Sequence, residues 1–314
     1  MKIDQTDLVI IHALENGARP FLESIATELK IEKTEIMARL SRMEAEKLIR
    51  SYQLIIRLPV LLGGDWAYGC LLGITADPTK TLARIVEKLP YVTEVFYNLP
   101  IFYPVGPNLN ILFYTQNFSA TVEFCQANFN NQVGGDGSGF EYFEIYKLSD
   151  YTLPFPAPLA EAEQNLLRAI YKNPIASVEE LAETVRQDEG WVEVKMNQLV
   201  ANCCREKEQI VGIAQVLPEL NWRVCENYCH IHFLVEDDSK LEIRSSEFEM
   251  RNLLSHPFQG RFWQLETDVW GWDDFREKVR RLLDAKAKIK GLILAEATQV
   301  INHWVAKQLF SREP

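Results

Sequence analysis

The sequence predicts an α+β protein made of two tandem units, each a winged helix-turn-helix followed by a ferredoxin-like βαββαβ domain. Three observations predict it. Residues 21–49 hold two apolar stripes at helical spacing, Ile25-Ala26-Leu29 and Ile36-Leu40-Met43, separated by the short turn Lys30-Ile31-Glu32-Lys33. Residues 66–150 then alternate strand and helix patterns in the order β-α-β-β-α-β. Finally, a shift of 156 residues lays Ile10-Ile11 on Leu166-Leu167 and Ile25-Ala26-Thr27-Glu28-Leu29 on Leu181-Ala182-Glu183-Thr184-Val185 without a gap, an internal repeat.

The elements follow in order. A first helix spans about residues 6–15, capped by Asp4 or Thr6 and stopped by Asn16-Gly17. The two-helix unit comes next, and residues 50–57 read as the wing or exit strand. These make domain 1–58. Residues 58–65 contain a Pro and Gly-Gly and read as a linker. In the domain at 66–150, strands are predicted at 67–76, 91–98, 111–116 and 140–148, with helices at 79–89 and 118–129. The prolines of 151–158 predict a stiff connector. A second helix-turn-helix is expected at 159–218. A second βαββαβ set is expected at 223–314, with strands at 228–237, 260–268, 269–273 and 291–301, and helices at 245–254 and 273–285, before a tail at 303–310.

Bulk properties exclude several classes. Net charge is −11, so any nucleic-acid contact must come from a local basic patch. No apolar run reaches the length of a membrane span, and the start shows no signal peptide. Six cysteines in a chain this long do not form a secreted disulfide framework, which points to a reduced, cytoplasmic protein. No Ser-His-Asp set, Walker loop or dinucleotide glycine fingerprint is present, so no catalytic residue and no cofactor are assigned. The Gly-rich 134–139 precedes a strand, not a helix, and is no phosphate cradle.

Four stretches carry a family likeness: Ile3-Asp4-Gln5-Thr6-Asp7-Leu8-Val9-Ile10, Gly17-Ala18-Arg19, residues 25–29 and residues 39–49. With them the chain resembles the Lrp/AsnC family of bacterial and archaeal regulators, nearly end to end and twice over. The resemblance implies a transcriptional regulator that binds double-stranded DNA. It also implies a ferredoxin-like (RAM) domain that pairs through its sheet, takes an amino-acid-like effector and assembles into a homo-oligomer. Family members are normally half this length. In the family, a Gly followed by an acid in the β2–β3 turn lines the effector site; here the turn offers Gly106, Asn108 and Asn110. In the second half Glu266-Thr267-Asp268 stands at the corresponding place, with no glycine turn. A divergent branch of the same fold, the siroheme decarboxylases, is the second reading: an enzyme or tetrapyrrole binder whose helix-turn-helix domains need not touch DNA. Tyr97 and residues 110–113 match that branch loosely, and residues 95–110 lack the His and Arg that would hold its acidic ligand.

DNA contact is expected from Lys33, Thr34, Arg39 and Arg42 of the first recognition helix. Residues 30–50 hold six Lys/Arg against four acids. The plain alternative places Arg39 and Arg42 in i, i+4 pairs with Glu35 and Glu46. The copy at 186–210 has four Lys/Arg against five acids and reads as a packing domain, with Lys195 keeping the charge of Arg39. One competent head per chain would require two chains on a palindromic site. His230 and His232 face one side of a strand and Cys229 the other. Adjacent ligands that diverge suit no single tetrahedral site; the remaining metal option is His230 and His232 with Cys203 or Cys204 from elsewhere in the chain. No metal is assigned, and the two histidines are read as effector liners. The tryptophans crowded into the second half read as packing residues, or as a stacking pocket for a flat ligand.

Overall fold

The computed structural model describes residues 1–17, 22–89, 91–101, 106–129, 139–154, 156–200, 212–236, 249–256 and 260–301. The chain is α+β, with helices packed on a curled antiparallel sheet.

Helix α1 (Gln5–Glu15) starts at a reciprocal cap. The Asp7 N–H donates to the Asp4 carboxylate, and the Asp4 N–H donates to that of Asp7. Helices α2 (Leu22–Leu29) and α3 (Lys33–Ala45) follow across a turn that contains Lys30 at φ +55°. Ile25, Ile36, Leu40 and Met43 are buried against Leu8, Ile11 and Leu14, as their spacing predicts. Strand β1 (Ile49–Ile56) leaves this head. The predicted linker at 58–65 is instead a one-turn helix, α4 (Leu58–Leu62), because Pro59 fits a first helical turn and Leu58 and Pro59 are buried.

The middle of the chain holds β2 (Gly64–Ile74), α5 (Pro78–Lys88), β3 (Val92–Pro100), β4 (Leu109–Thr115), α6 (Phe118–Phe129) and β5 (Tyr142–Leu153). Asp77 caps α5 by accepting the Lys80 N–H. Strand β5 runs on to Leu153, opposite Gly64, so extended pairing claims the start of the predicted connector. Helices α7 (Glu161–Lys172), α8 (Val178–Val185) and α9 (Glu189–Leu199) come next. Strand β6 (Ala214–Leu220), a 3-10 turn at Trp222–Val224 and β7 (Cys229–Glu236) lead into β8 (Glu249–His256), β9 (Gly260–Val269), α10 (Gly271–Asp284) and β10 (Ile289–Val300).

Three expectations for this last part are corrected. The helix predicted at 245–254 gives way to β8 over 249–256. That segment pairs antiparallel with β9, Met250 opposite Leu265 and His256 opposite Gly260, and cross-strand pairing overrides a local helical pattern. The strand predicted at 269–273 ends at Val269; α10 begins at Gly271, with Asp274 accepting the Trp270 N–H. Glu266-Thr267-Asp268, set at the place of the family's effector turn, lies instead inside β9, paired with β7 and within the strand predicted at 260–268. The Gly-rich 134–137, Cys203, Cys204 and the tail at 303–310 lie outside the described residues.

Two sheets organise the chain among the described residues. Strands β1 and β6 pair antiparallel, and one apolar core runs beneath them through both helical heads. The other sheet has the order β5-β2-β4-β3-β10-β7-β9-β8. Its centre is β10, which pairs with β3 on one side and β7 on the other. Helices α5 and α6 cover one outer face over Val95, Ile111 and Phe113, and α10 covers another over Phe233 and Leu265. The opposite face curls on itself. Cys70 and Leu72 of β2 pack with Leu234 of β7 and Ile293 of β10. Strands β2 and β7 are four places apart, which in a flat sheet is roughly 19 Å at about 4.8 Å per strand. No described helix is long and apolar enough to cross a membrane.

Candidate functional site

The concave face of the eight-stranded sheet encloses a cleft of about 690 Å³. Strands β2, β3, β4, β5, β7, β9 and β10 contribute described residues to its wall, and α1 closes one side with His12 and Glu15. Period-2 alternation decides which side chains enter. His230 and His232 point the same way from β7. In the antiparallel register Asp268 lies opposite His230 and Glu266 opposite His232, so all four share one face.

These groups are mutually bonded. His230 Nδ1 lies 3.0 Å from Asp268 Oδ1, and the Tyr228 hydroxyl donates to the same oxygen at 2.7 Å. His230 Nε2 and His232 Nε2 reach the two oxygens of Glu266 at 4.0 and 3.8 Å. The imidazole rings stand edge to face with centroids 5.0 Å apart. Burial lowers the His230 pKa, but the Asp268 hydrogen bond and the charges of Asp268, Glu266 and Glu15 outweigh it and leave the ring above the ordinary imidazole value. Glu15 lines the cleft, and desolvation by the protein around it, opposed by the charge of His230 and aided by that of Asp268, pushes it up to about 7.

Several polar atoms on this face are buried without a protein partner: Asn98 Nδ2, Asn110 Oδ1 and Gln264 Oε1. Such atoms are rare in folded proteins, because each costs the desolvation of a hydrogen-bonding group. Among the described lining residues the ionisable side chains are histidine, glutamate, tyrosine and cysteine, with no Lys or Arg. Trp222, Tyr228 and Trp270 pack as a tilted aromatic row, with centroids 5.1 and 5.0 Å apart, and the first two also face the cleft.

The predicted effector residues divide. Asn110, His230 and His232 line the cleft. Asn108 does not; its amide accepts the Thr75 N–H at 3.0 Å and donates to the Thr75 carbonyl at 2.6 Å, tying β4 to the end of β2. Gly106 is buried at φ +105°, where a Cβ would stand 2.8 Å from Ile293 and 3.1 Å from Leu234, so it seats the β3–β4 connection on the second half. Asn98, Gln264, Glu266 and Asp268 escaped prediction. Glu266 and Asp268 were visible as acids, but only the β7–β9 register puts them beside the histidines.

The predicted DNA-contacting residues also divide. Lys33 and Thr34 are exposed in the first turn of α3. Arg39 is largely buried, its side chain 21% exposed, and it bonds Asp4 at 2.9 Å, Asp7 at 2.8 Å and Glu35 at 2.9 Å. Arg42 pairs with the fully buried Asp7. The i, i+4 partner Glu35 is thus present for Arg39, while Arg42 turns to α1.

The sequence matches no protein-family model and no curated protein. Among solved structures, the chain is similar to the crystal structure of the siroheme decarboxylase NirDL at 13% identity, over 93% of this chain and 91% of that one, with a TM-score of 0.42. It is similar to the transcriptional regulator NMB0573 of Neisseria meningitidis, in complex with L-Met, at 15% identity over 51% of this chain and 97% of that one, TM-score 0.30. It is similar to E. coli AsnC at 17% identity over 51% and 99%, TM-score 0.27. The two regulators thus each span about half of this chain.

Proposed function

We propose that the chain is a small-molecule-binding regulator built from two Lrp/AsnC-type units, and that its working site is the concave cleft. The carrying observation is the cleft of about 690 Å³ into which Asn98, Asn110 and Gln264 turn buried polar atoms that no protein group satisfies. That volume and a mostly apolar wall with a few polar groups suit a small organic ligand. The wall favours a ligand with hydrogen-bonding groups and a neutral or cationic centre, such as an amine facing Glu15 and Glu266.

The two-unit reading is supported by a repeated lock. Lys195 meets Glu163 at 2.7 Å, and both stand 156 residues beyond Arg39 and Asp7, which meet at 2.8 Å. Both carboxylates also accept the backbone N–H three residues earlier, from Ala160 and Asp4. Strand order supports it too: β5-β2-β4-β3 and β10-β7-β9-β8 place their strands identically. DNA contact belongs in this proposal to Lys33 and Thr34 of the first head, on an oligomer of chains.

The siroheme-decarboxylase-like reading is favoured by the cleft's size and its two histidines. It is opposed by the charge of the wall: an acidic tetrapyrrole needs cationic partners, and the described lining residues include no Lys or Arg. A thermal-shift series separates the two readings. One or more proteinogenic amino acids or their amides should raise the melting temperature of the wild type but not of Asn98→Leu/Asn110→Leu. Stabilisation by an iron uroporphyrin alone would transfer the protein to the enzyme reading. For DNA, a gel shift on the region upstream of its own gene should weaken with Lys33→Glu, with a salt slope lower by about one unit. Equal binding by the variant would remove α3 as the contact.

A further inference from the structure

The geometry points to a divalent transition-metal site in the cleft, formed by His230 Nε2, His232 Nε2 and a Glu266 carboxylate oxygen. The three ligand atoms already lie within 4.8 Å of one another. Metal–nitrogen bonds of about 2.1 Å at tetrahedral angles need ligand atoms roughly 3.4 Å apart. His230 Nε2 lies 4.0 Å from one Glu266 oxygen and His232 Nε2 3.8 Å from the other, and side-chain rotations bring one of these oxygens and both nitrogens to that spacing. Two imidazoles and one carboxylate on one face form the set that binds zinc or ferrous-type ions while leaving positions open. Here the open positions face the cleft.

The surroundings are those of a metal site. A ligating imidazole usually donates its second N–H to a carboxylate or carbonyl, which orients the ring. Asp268 does this for His230, 3.0 Å from Nδ1, and is itself held by the Tyr228 hydroxyl. Gln264 is placed to do it for His232, since its amide contacts His232 Nδ1. Its Oε1 is buried without a partner, and exchanging the amide oxygen and nitrogen presents that oxygen to an Nδ1–H. The same exchange withdraws the Gln264 N–H from Glu266, now 3.1 Å away. Cys229 leaves the opposite face of β7, and among the described residues the ligand set includes no sulfur.

The inference rests on the cleft being the working site, but it fails separately. Purified full-length chain, freed of metal with chelator, is titrated with Co²⁺ and with Zn²⁺ alone. One equivalent of Co²⁺ should give visible d–d absorption without a sulfur charge-transfer band, and Zn²⁺ should displace it. His232→Ala and Glu266→Gln should abolish the band, while Gln264→Leu and Asp268→Asn should weaken binding about 10- to 100-fold. Far-UV circular dichroism confirms that each variant is folded, and Glu266→Asp should restore partial binding. Absence of saturable Co²⁺ binding overturns the site, as does a sulfur band or unchanged affinity in folded His230→Ala/His232→Ala. Absent Co²⁺ binding with amino-acid stabilisation retained would leave the ligand reading intact and remove only the ion.

Discussion

The arginines of α3 show how one residue type divides between structure and recognition. Arg39 and Arg42 converge on Asp7, whose side chain is fully buried. A buried carboxylate stripped of its cations keeps its desolvation cost and loses its compensation. Arg39→Ala should therefore destabilise the chain by about 1–3 kcal/mol, read as a lower urea midpoint at constant slope. A loss of DNA binding in that variant would report a loosened head. An unchanged midpoint for Arg39→Ala would show that the lock adds nothing. The sequence displayed these arginines as a basic helix face, and it displayed Asp7 as an ordinary first-turn acid. Nothing in it reported that α1 would bring Asp7 within reach of both.

Among the elements, the β3–β4 connection and β8 mark the limits of local reading. Gly106 was picked out as an effector-turn glycine, but its positive φ and its contact with Ile293 and Leu234 make it a packing point between the two halves. Gly106→Ala should cost about 1–3 kcal/mol from strained backbone and overpacking, seen as a lower thermal midpoint. A neutral effect would mean that the connection does not press on β10. Helix α6 was read from the sequence with its observed limits, because its pattern has strand breaks on both sides. Strand β8 was read as a helix, because 249–256 has no strict alternation and its extended state depends on β9.

At the scale of the whole molecule, the two halves share one sheet and one cleft, and this sets how the chain answers pH. Glu94 lies behind the cleft among Arg57, Tyr68, Tyr114, Tyr151 and Gln215, with Glu15 of α1 facing it. Burial, reinforced by Glu15, pushes Glu94 up to about 7. The folded chain thus binds a proton that the unfolded chain releases near pH 4.3. Its stability should fall as pH rises between those values and stay lower above them. Glu94→Gln should flatten this fall, matching the wild type near pH 5 and melting higher at pH 8; parallel curves would exclude Glu94 as the source. Helices, their caps and most strands were legible in the residues, because periodicity and capping act over a few positions. So were Asn110, His230 and His232 as candidates. The cleft itself was not legible. It exists because β10 pairs with β3 and β7 together and bends the sheet until β2 meets β7, and because the β7–β9 register sets Glu266 opposite His232. Such pairings join residues far apart in the chain through backbone hydrogen bonds, which carry no mark of side-chain identity. The sequence by itself therefore determined the elements and the candidate residues, while the tertiary structure decided which arginines are locked inside and which residues share a site.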